Sequence, residues 1–369
     1  MTIIRFFKKY TVFCIAVIAA VVTCFLVPPD REYLGYFDFK TLCCLFLTLA
    51  VVCALRNIKF FTILARQLVK ITGNLRSLFL MLLAITFLGS MLIANDMALI
   101  TFLPLGYFAL STAKQEKYMA YLFILQNISA NLGGLLTPFG NPQNLYLYSY
   151  FNIPTGEFCT IMLPPFLLAV TLLALACLFV KPKKLFIDDD FPIKLNRRRA
   201  TLYILLFVIS ILVVFSVVDM WLGLLLIVGV LLFADRYAIK MVDYPLLFTF
   251  FFFFIFSGNL ARIDAVNEFL SHLLEWDTLL VSTLSCQFIS NVPSAILLSR
   301  FTNDYHALLL GVNIGGTGTL IASLASLITF NEYRALYPKK VKFYLALFTG
   351  INLVFLIIMT VAAKLFFLA

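Results

Sequence analysis

Apolar stretches of bilayer length recur along the whole chain, and they decide what it can fold into. A spanning helix needs roughly 20 mostly apolar residues. Such stretches lie at about 11–27, 38–55, 118–150, 157–180, 201–218, 221–235, 245–260, 304–331 and 342–367. Two more, at 75–107 and 276–301, carry polar residues near their middles. Of the 369 residues 63% are hydrophobic and 12% charged, against about 25% charged in a soluble domain. A run such as Phe248 to Phe256 is at home in lipid or in a scaffold packed within it. The expected fold class is all-α, a polytopic membrane protein with about nine full crossings plus two re-entrant hairpins. The stretch from Thr11 to Val27 follows Arg5, Lys8 and Lys9 but lacks a small-residue cleavage site, so it is expected to be a retained first helix.

The net charge of +10 would suggest nucleic acid in a soluble protein, but here Lys and Arg fall in short segments between apolar stretches, where they set topology. With the N-terminus in the cytoplasm, alternate crossings place Arg56, Lys59, Arg66, Lys70 and Arg76 inside. The central loop, with Lys181, Lys183, Lys184, Lys194 and Arg197 to Arg199, and the segment from Arg334 to Lys342 fall inside as well. Asp30, Glu32, Glu157, Asp219, Asp264, Glu268, Glu275 and Asp304 fall on the other side. This asymmetry holds if 75–107 and 276–301 each enter and leave on one side, and nine crossings then put the C-terminus outside. Eight Cys without a C-x-x-C pair, and only two His, give no basis for a metal or redox centre. The two His, His272 and His306, are far in sequence from any Cys or Asp cluster. That argues against a membrane-embedded enzyme. No cofactor and no nucleic-acid partner are expected; the partners are a small solute, the lipid bilayer and a possible second copy of the chain.

The polar loop 181–199 divides the chain into two halves that repeat one pattern. In 1–180 an apolar helix leads to Ala94-Asn95-Asp96, a short apolar helix with Pro104 follows, and then the break Asn131-Leu-Gly-Gly through Thr137-Pro138-Phe-Gly140-Asn141-Pro142-Gln143-Asn144. In 200–369 an apolar helix leads to Ser290-Asn291-Val292-Pro293, and then comes Asn313-Ile-Gly-Gly-Thr-Gly-Thr through Ser323. Each unit is preceded by an amphipathic stretch, 56–72 inside and 262–275 outside, so the repeats are expected to be inverted: hairpin 75–107 with broken helix 118–150, and hairpin 276–301 with broken helix 304–331.

Non-helical backbone at bilayer depth is tolerated only within protein or beside a water-filled cavity. A polar tip between two short helices therefore reads as a re-entrant hairpin whose second helix points free N–H groups and its positive dipole end at the tip. Asn95 and Asn291 could simply cap those helices, as Asn does well. Their matching places in two halves point instead to a transporter site, where broken helices meet near the midplane. Asp96 is the one carboxylate expected at that depth, as an ion ligand or proton carrier or as a helix-end cap. Gly133 and Gly134, with Gly140, Pro138 and Pro142, interrupt one helix; Gly315 and Gly316, with Gly318, Thr317 and Thr319, interrupt the other. Unwinding exposes carbonyls that suit a cation and starts a new helix that suits an anion, although close helix packing through small residues would need the same glycines.

Asn95-Asp96-x-Ala-Leu with Pro104, Thr137 through Asn144, Ser290 through Pro293 and Asn313 through Ser326 together resemble the ion transporter superfamily: divalent-anion/sodium symporters, arsenite-efflux permeases and citrate-transporter-like permeases. The resemblance covers almost the whole chain and implies a scaffold, a moving transport domain and often a homodimer. The symporters carry Ser-Asn-Thr at each tip, so Asn95 and Asn291 carry over while Ala94, Asp96 and Val292 depart. Ser90 falls at an ion-site hydroxyl position that Cys286 does not match. The resemblance makes Asn95, Asp96, Asn141, Pro142, Asn144, Ser290, Asn291 and Thr317 the candidate substrate-binding residues. Ser90, Asn95, Asp96, Gly133, Gly134, Thr137, Asn291, Gly315 and Gly316 are the candidate coupling-ion residues, with no metal beyond a transported Na+. The expected function is secondary transport of a small anion across the cytoplasmic membrane, coupled to Na+ or H+, with a Na+/H+ exchanger or arsenite-type efflux permease as the alternative.

Overall fold

The computed structural model describes residues 11–184 and 195–368. Arg5, Lys8, Lys9 and Lys194, part of the charge expected inside, lie outside the described residues. Among these residues the chain is helical with no named strand. The first half holds α1 (Thr11–Leu26), α2 (Phe39–Asn57), α3 (Phe60–Val69), α4 (Leu75–Ile93), α5 (Asn95–Thr112), α6 (Met119–Gly133), α7 (Pro142–Tyr150) and α8 (Thr155–Leu178). The second holds α9 (Arg197–Val214), α10 (Met220–Ala234), α11 (Arg236–Lys240), α12 (Tyr244–Ala261), α13 (Asp264–Ile289), α14 (Asn291–Leu298), α15 (Tyr305–Ile314), α16 (Leu324–Leu336) and α17 (Val341–Ala362). Among the described residues six segments are long and apolar enough to cross a membrane: Phe39–Asn57, Leu75–Ile93, Glu116–Leu136, Thr155–Leu178, Tyr244–Ala261 and Pro338–Phe367. The chain is a multi-pass membrane protein.

Acidic and amide side chains start many of these helices by accepting otherwise orphaned N–H groups. Asp38 accepts from the Thr41 amide at 2.9 Å before α2, and Asp243 from the Leu246 amide at 3.1 Å before α12. Asn74 and Ser77 form a reciprocal capping box at the start of α4. The Phe-rich stretch becomes α12, which packs along α1. Phe250 and Phe254 are buried, while Phe248 is exposed.

The region of the expected first hairpin is a helix–corner–helix unit, α4 and α5, packed against each other; its second arm runs past the expected residue 107 to Thr112. The second unit is α13 and α14. The amphipathic stretch before it is continuous with the hairpin and separated only by a bend at Asp277 (φ −165°, ψ 91°). That carboxylate restarts the helix by accepting from the Leu280 amide and pairs with Lys364 at 2.6 Å. In the first half the corresponding joint is a turn between α3 and α4, where the Leu75 amide donates to the Lys183 carbonyl. The units cross over: α5 packs on α16, and α14 packs on α7.

Candidate functional site

The two tips share one backbone conformation. Ala94 has φ 62°, ψ 155° and Ser290 φ 76°, ψ 157°. This region is almost exclusive to glycine, and another residue there costs about 1–3 kcal/mol. In both tips the following Asn folds its side chain onto the next amide: Asp96 N–H donates to Asn95 Oδ1 at 3.0 Å and Val292 N–H to Asn291 Oδ1 at 2.9 Å. Asn95 and Asn291 are both buried. Such strain persists only where the surroundings over-determine it, and here two separate segments are held alike.

The likeness extends from the tips into the breaks. Ser90 donates its hydroxyl to the Ala130 carbonyl, just before Asn131. Cys286, in the same position before its tip, donates its thiol to the Val312 carbonyl at 3.8 Å, just before Asn313. Cys286 is therefore the structural counterpart of Ser90, with a weaker donor, where the sequence suggested no match. Thr137 Oγ1 donates to the Met91 carbonyl and Thr319 Oγ1 to the Gln287 carbonyl, each at 3.0 Å. Thr319, not Thr317, is thus the partner of Thr137. The Thr317 hydroxyl is buried and donates to the Ile314 carbonyl at 2.7 Å. Gln287 staples the second break: its Nε2 donates to the carbonyls of Gly315 and Thr317, and its Oε1 accepts from the Thr319 amide. A Cβ on Gly133 would stand 2.3 Å from the Phe87 carbonyl oxygen, and one on Gly315 would stand 2.8 Å from the Cys286 sulfur. Each first glycine of the pair thus lets its break lie against the helix leading to the tip. Behind it, Gly134 leaves room for the Asn141 amide and Gly316 for the Asn291 amide.

A buried polar network joins these parts. Asn95 Nδ2 donates to Asn131 Oδ1 at 3.2 Å, and Asn127 Nδ2 donates to Ser326 Oγ at 3.2 Å. Ser326 meets Ser323, and the neighbouring Ala322 carbonyl accepts from the Asn291 amide at 2.9 Å. Asn141 Nδ2 donates to the Asn131 carbonyl. Asn144 donates to the carbonyls of Gly134, Leu135 and Thr137, tying off the first break, and accepts from Asn313. Gln143 donates to Asn313 Oδ1 at 3.0 Å. The new helix in the first break starts at Pro142, with no side-chain cap at its end. The Asn141 Oδ1 and Gln143 Oε1 atoms are buried without a hydrogen-bond partner.

Asp96 stands apart from this network. It lines a cavity of about 30 Å³ formed where the first tip and first break meet α2 and the turn before α12, and Asp243 lines the same cavity. Its Oδ1 atom is sealed from solvent without a hydrogen-bond partner. Sequence reasoning missed Asp243 and Gln287, and placed Thr319 in the second break without making it a site residue. Thr319 was within reach, because it follows Asn313 by the same spacing as Thr137 follows Asn131. Asp243 carried no local signal. Among the described residues no group of His, Cys, Asp or Glu could hold a metal ion.

A family model described as citrate transporter matches residues 1–307, which takes in both tips and the first break. An uncharacterized transporter of Methanocaldococcus jannaschii is 35% identical over 300 residues, covering 81% of this chain and 82% of its own. The inner membrane protein YbiR of Escherichia coli is 30% identical over 277 residues, 73% of each chain. The silicon efflux transporter LSI3 of Oryza sativa subsp. japonica is 31% identical over 159 residues, 42% of this chain and 32% of its own.

Proposed function

The chain belongs to the citrate transporter family, and from that premise we propose that it is a secondary active transporter moving a small anion, a carboxylate or an inorganic oxyanion, across the cytoplasmic membrane, coupled to Na+ or H+. The observation that carries this reading is the matched pair of strained corners at Ala94-Asn95 and Ser290-Asn291. Each opens a helix whose first amides face the tip without a cap from the preceding residue. Helix starts of this kind attract negative charge through the aligned peptide dipoles; at the second tip the dipole acts without free donors, because the Asn291 and Val292 amides are taken by the Ala322 carbonyl and Asn291 Oδ1 and Pro293 has no N–H. The substrate would sit between the tips, with Asn95, Asn291, Ser290, Asn141, Pro142, Asn144 and Thr317 around it. The coupling cation would use Ser90, Thr137 and the carbonyls near Gly133, Gly134, Gly315 and Gly316, or else Asp96 in its separate cavity. One charge moved down a 100 mV potential is worth about 2.3 kcal/mol, enough to concentrate a solute roughly fiftyfold. The proposed topology has the N-terminus in the cytoplasm and the C-terminus outside, and the proposed domains are the two inverted repeats divided by the basic linker.

A second reading, efflux of a small oxygen-rich solute or cation exchange, draws on the relative that carries silicon outward and on Asp96 at a tip whose counterpart is Val292. Proteoliposome flux decides between them. Labelled citrate, phosphate, arsenite and silicate would be tested under imposed Na+ and pH gradients. We expect an anion to accumulate, and Asn95→Ala or Asn291→Ala to cut its flux about tenfold or more, the equivalent of one hydrogen bond to a charged group. Flux unchanged in both variants would remove the tips from the substrate path.

A further inference from the structure

Where the first break ends and α7 begins, the hydrogen bonds leave oxygens over. Asn141 Oδ1 and Gln143 Oε1 are sealed from solvent and accept from nothing, and both residues are only 1% exposed. From these two oxygens we infer that the carried solute presents hydroxyl hydrogens to Asn141 and Gln143. The protein would then select an anion that bears O–H groups, a hydroxycarboxylate or a partly protonated oxyacid, over one that bears none. This inference rests on the transporter reading above and adds Gln143 to its site.

Backbone carbonyls fix which end of each amide is left over. A carbonyl only accepts, so the amide atom facing it is the nitrogen. Asn313 Nδ2 meets the Leu309 carbonyl at 2.8 Å, which turns Asn313 Oδ1 to Gln143. Gln143 therefore presents its nitrogen to that oxygen, at 3.0 Å, and keeps Oε1. Three carbonyls of the break orient Asn144 in the same way, and the Asn131 carbonyl orients Asn141, at 3.3 Å. Exchanging oxygen and nitrogen in Asn141 or Gln143 would set acceptor against acceptor. The free ends are acceptors.

Buried acceptors call for a donor, and the helix start narrows which one. A bare oxyanion would bring only more acceptors. A metal cation would meet the positive end of α7. That helix has nine residues, opens with Pro142, which has no N–H, and carries no side-chain cap. A hydroxyl on an anion suits both features: its hydrogen goes to an amide oxygen, and its charge lies at the helix start. Asn141 is the residue before that helix and Gln143 its second, so both stand at the end in question.

Gln126 supplies a matched comparison. It is buried within α6, its Nε2 donates to Thr86 Oγ1 and to the Phe102 carbonyl, and its Oε1 also lacks a partner. A Cβ on Gly106 would stand 2.7 Å from that oxygen, so the neighbouring helix closes over it, and Gln126 lies in mid-helix. Gln143 has the same side chain and the same burial, but it sits at a helix start. A site built to bond a hydroxyl rejects the analogue without it, because its buried polar groups are then left unpaired.

The experiment is equilibrium binding to the whole protein in lipid nanodiscs, read from melting temperature against solute concentration. The solutes are paired to differ in a hydroxyl: malate against succinate, citrate against tricarballylate, and phosphate against sulfate at neutral pH. The hydroxylated member of at least one pair should bind about tenfold or more tightly. Gln143→Met, which removes the acceptor and keeps the length, should bring that member down to its partner's affinity. Gln126→Met should leave the difference in place. The wild-type comparison decides even where a variant does not fold. The inference falls if no pair differs in the wild type, or if Gln143→Met keeps the difference, as it would were a trapped water satisfying the oxygen. It also falls if Gln143→Met abolishes a melting shift caused by sodium, relative to choline, without any anion, which would make this a cation site. A hydroxyl-free anion bound and carried as well as its partner would overturn this inference alone; no anion bound or carried would overturn the transporter reading with it.

Discussion

Ala94 and Ser290 hold conformations that their side chains disfavour, and each precedes an Asn that closes on the next amide. Glycine would relieve the strain, about 1–3 kcal/mol, at a cost of up to about 1 kcal/mol in unfolded-state freedom. Ala94→Gly should therefore stabilise the protein by roughly 1 kcal/mol, and Ala94→Val should destabilise it; thermal unfolding in detergent measures both. Unchanged melting in both variants would mean that the corner relaxes and is not held. The Asn residues themselves were legible in the sequence, because an amide interrupting an apolar stretch at bilayer depth is costly enough to need a reason. The strained residue before each was not, since Ala and Ser carry no mark of a glycine-like backbone. Asp96 was visible as a charge out of place, whereas its cavity partner Asp243 looks in sequence like any helix-capping aspartate.

The hairpins and breaks were the elements that hydropathy and glycine placement outlined best. Observed boundaries fall within a few residues of those expected for most of them, because Pro142 and the Gly-Gly pairs punctuate the chain unambiguously. The arms were harder. An amphipathic pattern does not say whether the chain turns or merely bends at its end, and the second arm joins its hairpin through Asp277 without a gap. Within the breaks, hydrogen bonds obey the repeat more faithfully than residue letters do: Ser90 and Cys286 act alike, while Thr317 resembles Thr137 in type but not in place. The glycines are set by contact with the hairpin. Gly133→Ala, whose methyl would meet the Phe87 carbonyl oxygen at 2.3 Å, should cost about 3 kcal/mol. Gly350→Ala, with nothing within 4 Å, should be neutral or stabilise by up to about 1 kcal/mol. Equal melting temperatures for the two variants would refute this account of the first break.

Seen as a whole, the molecule follows from solvent. Lipid dictates helices, and the asymmetry of Lys and Arg is the basis of the proposed orientation. Reporter fusions test the proposed orientation: a fusion to the central loop should be active as a cytoplasmic reporter, and one to the C-terminus as an external reporter. Signals on the same side for both would refute nine crossings. How the halves meet was beyond the sequence, because hydropathy gives every helix a depth but no neighbour. The meeting itself is specific. Asn313 bonds to both Asn144 and Gln143, Asn127 reaches Ser326, and each hairpin's second arm lies on the other half's broken helix. Pulling one break away from the other would strand several amides in a medium that offers them no water. The two breaks are thus riveted into one cartridge, and in the proposed transport cycle both would travel together, with the turn after α3 and the bend at Asp277 as the joints.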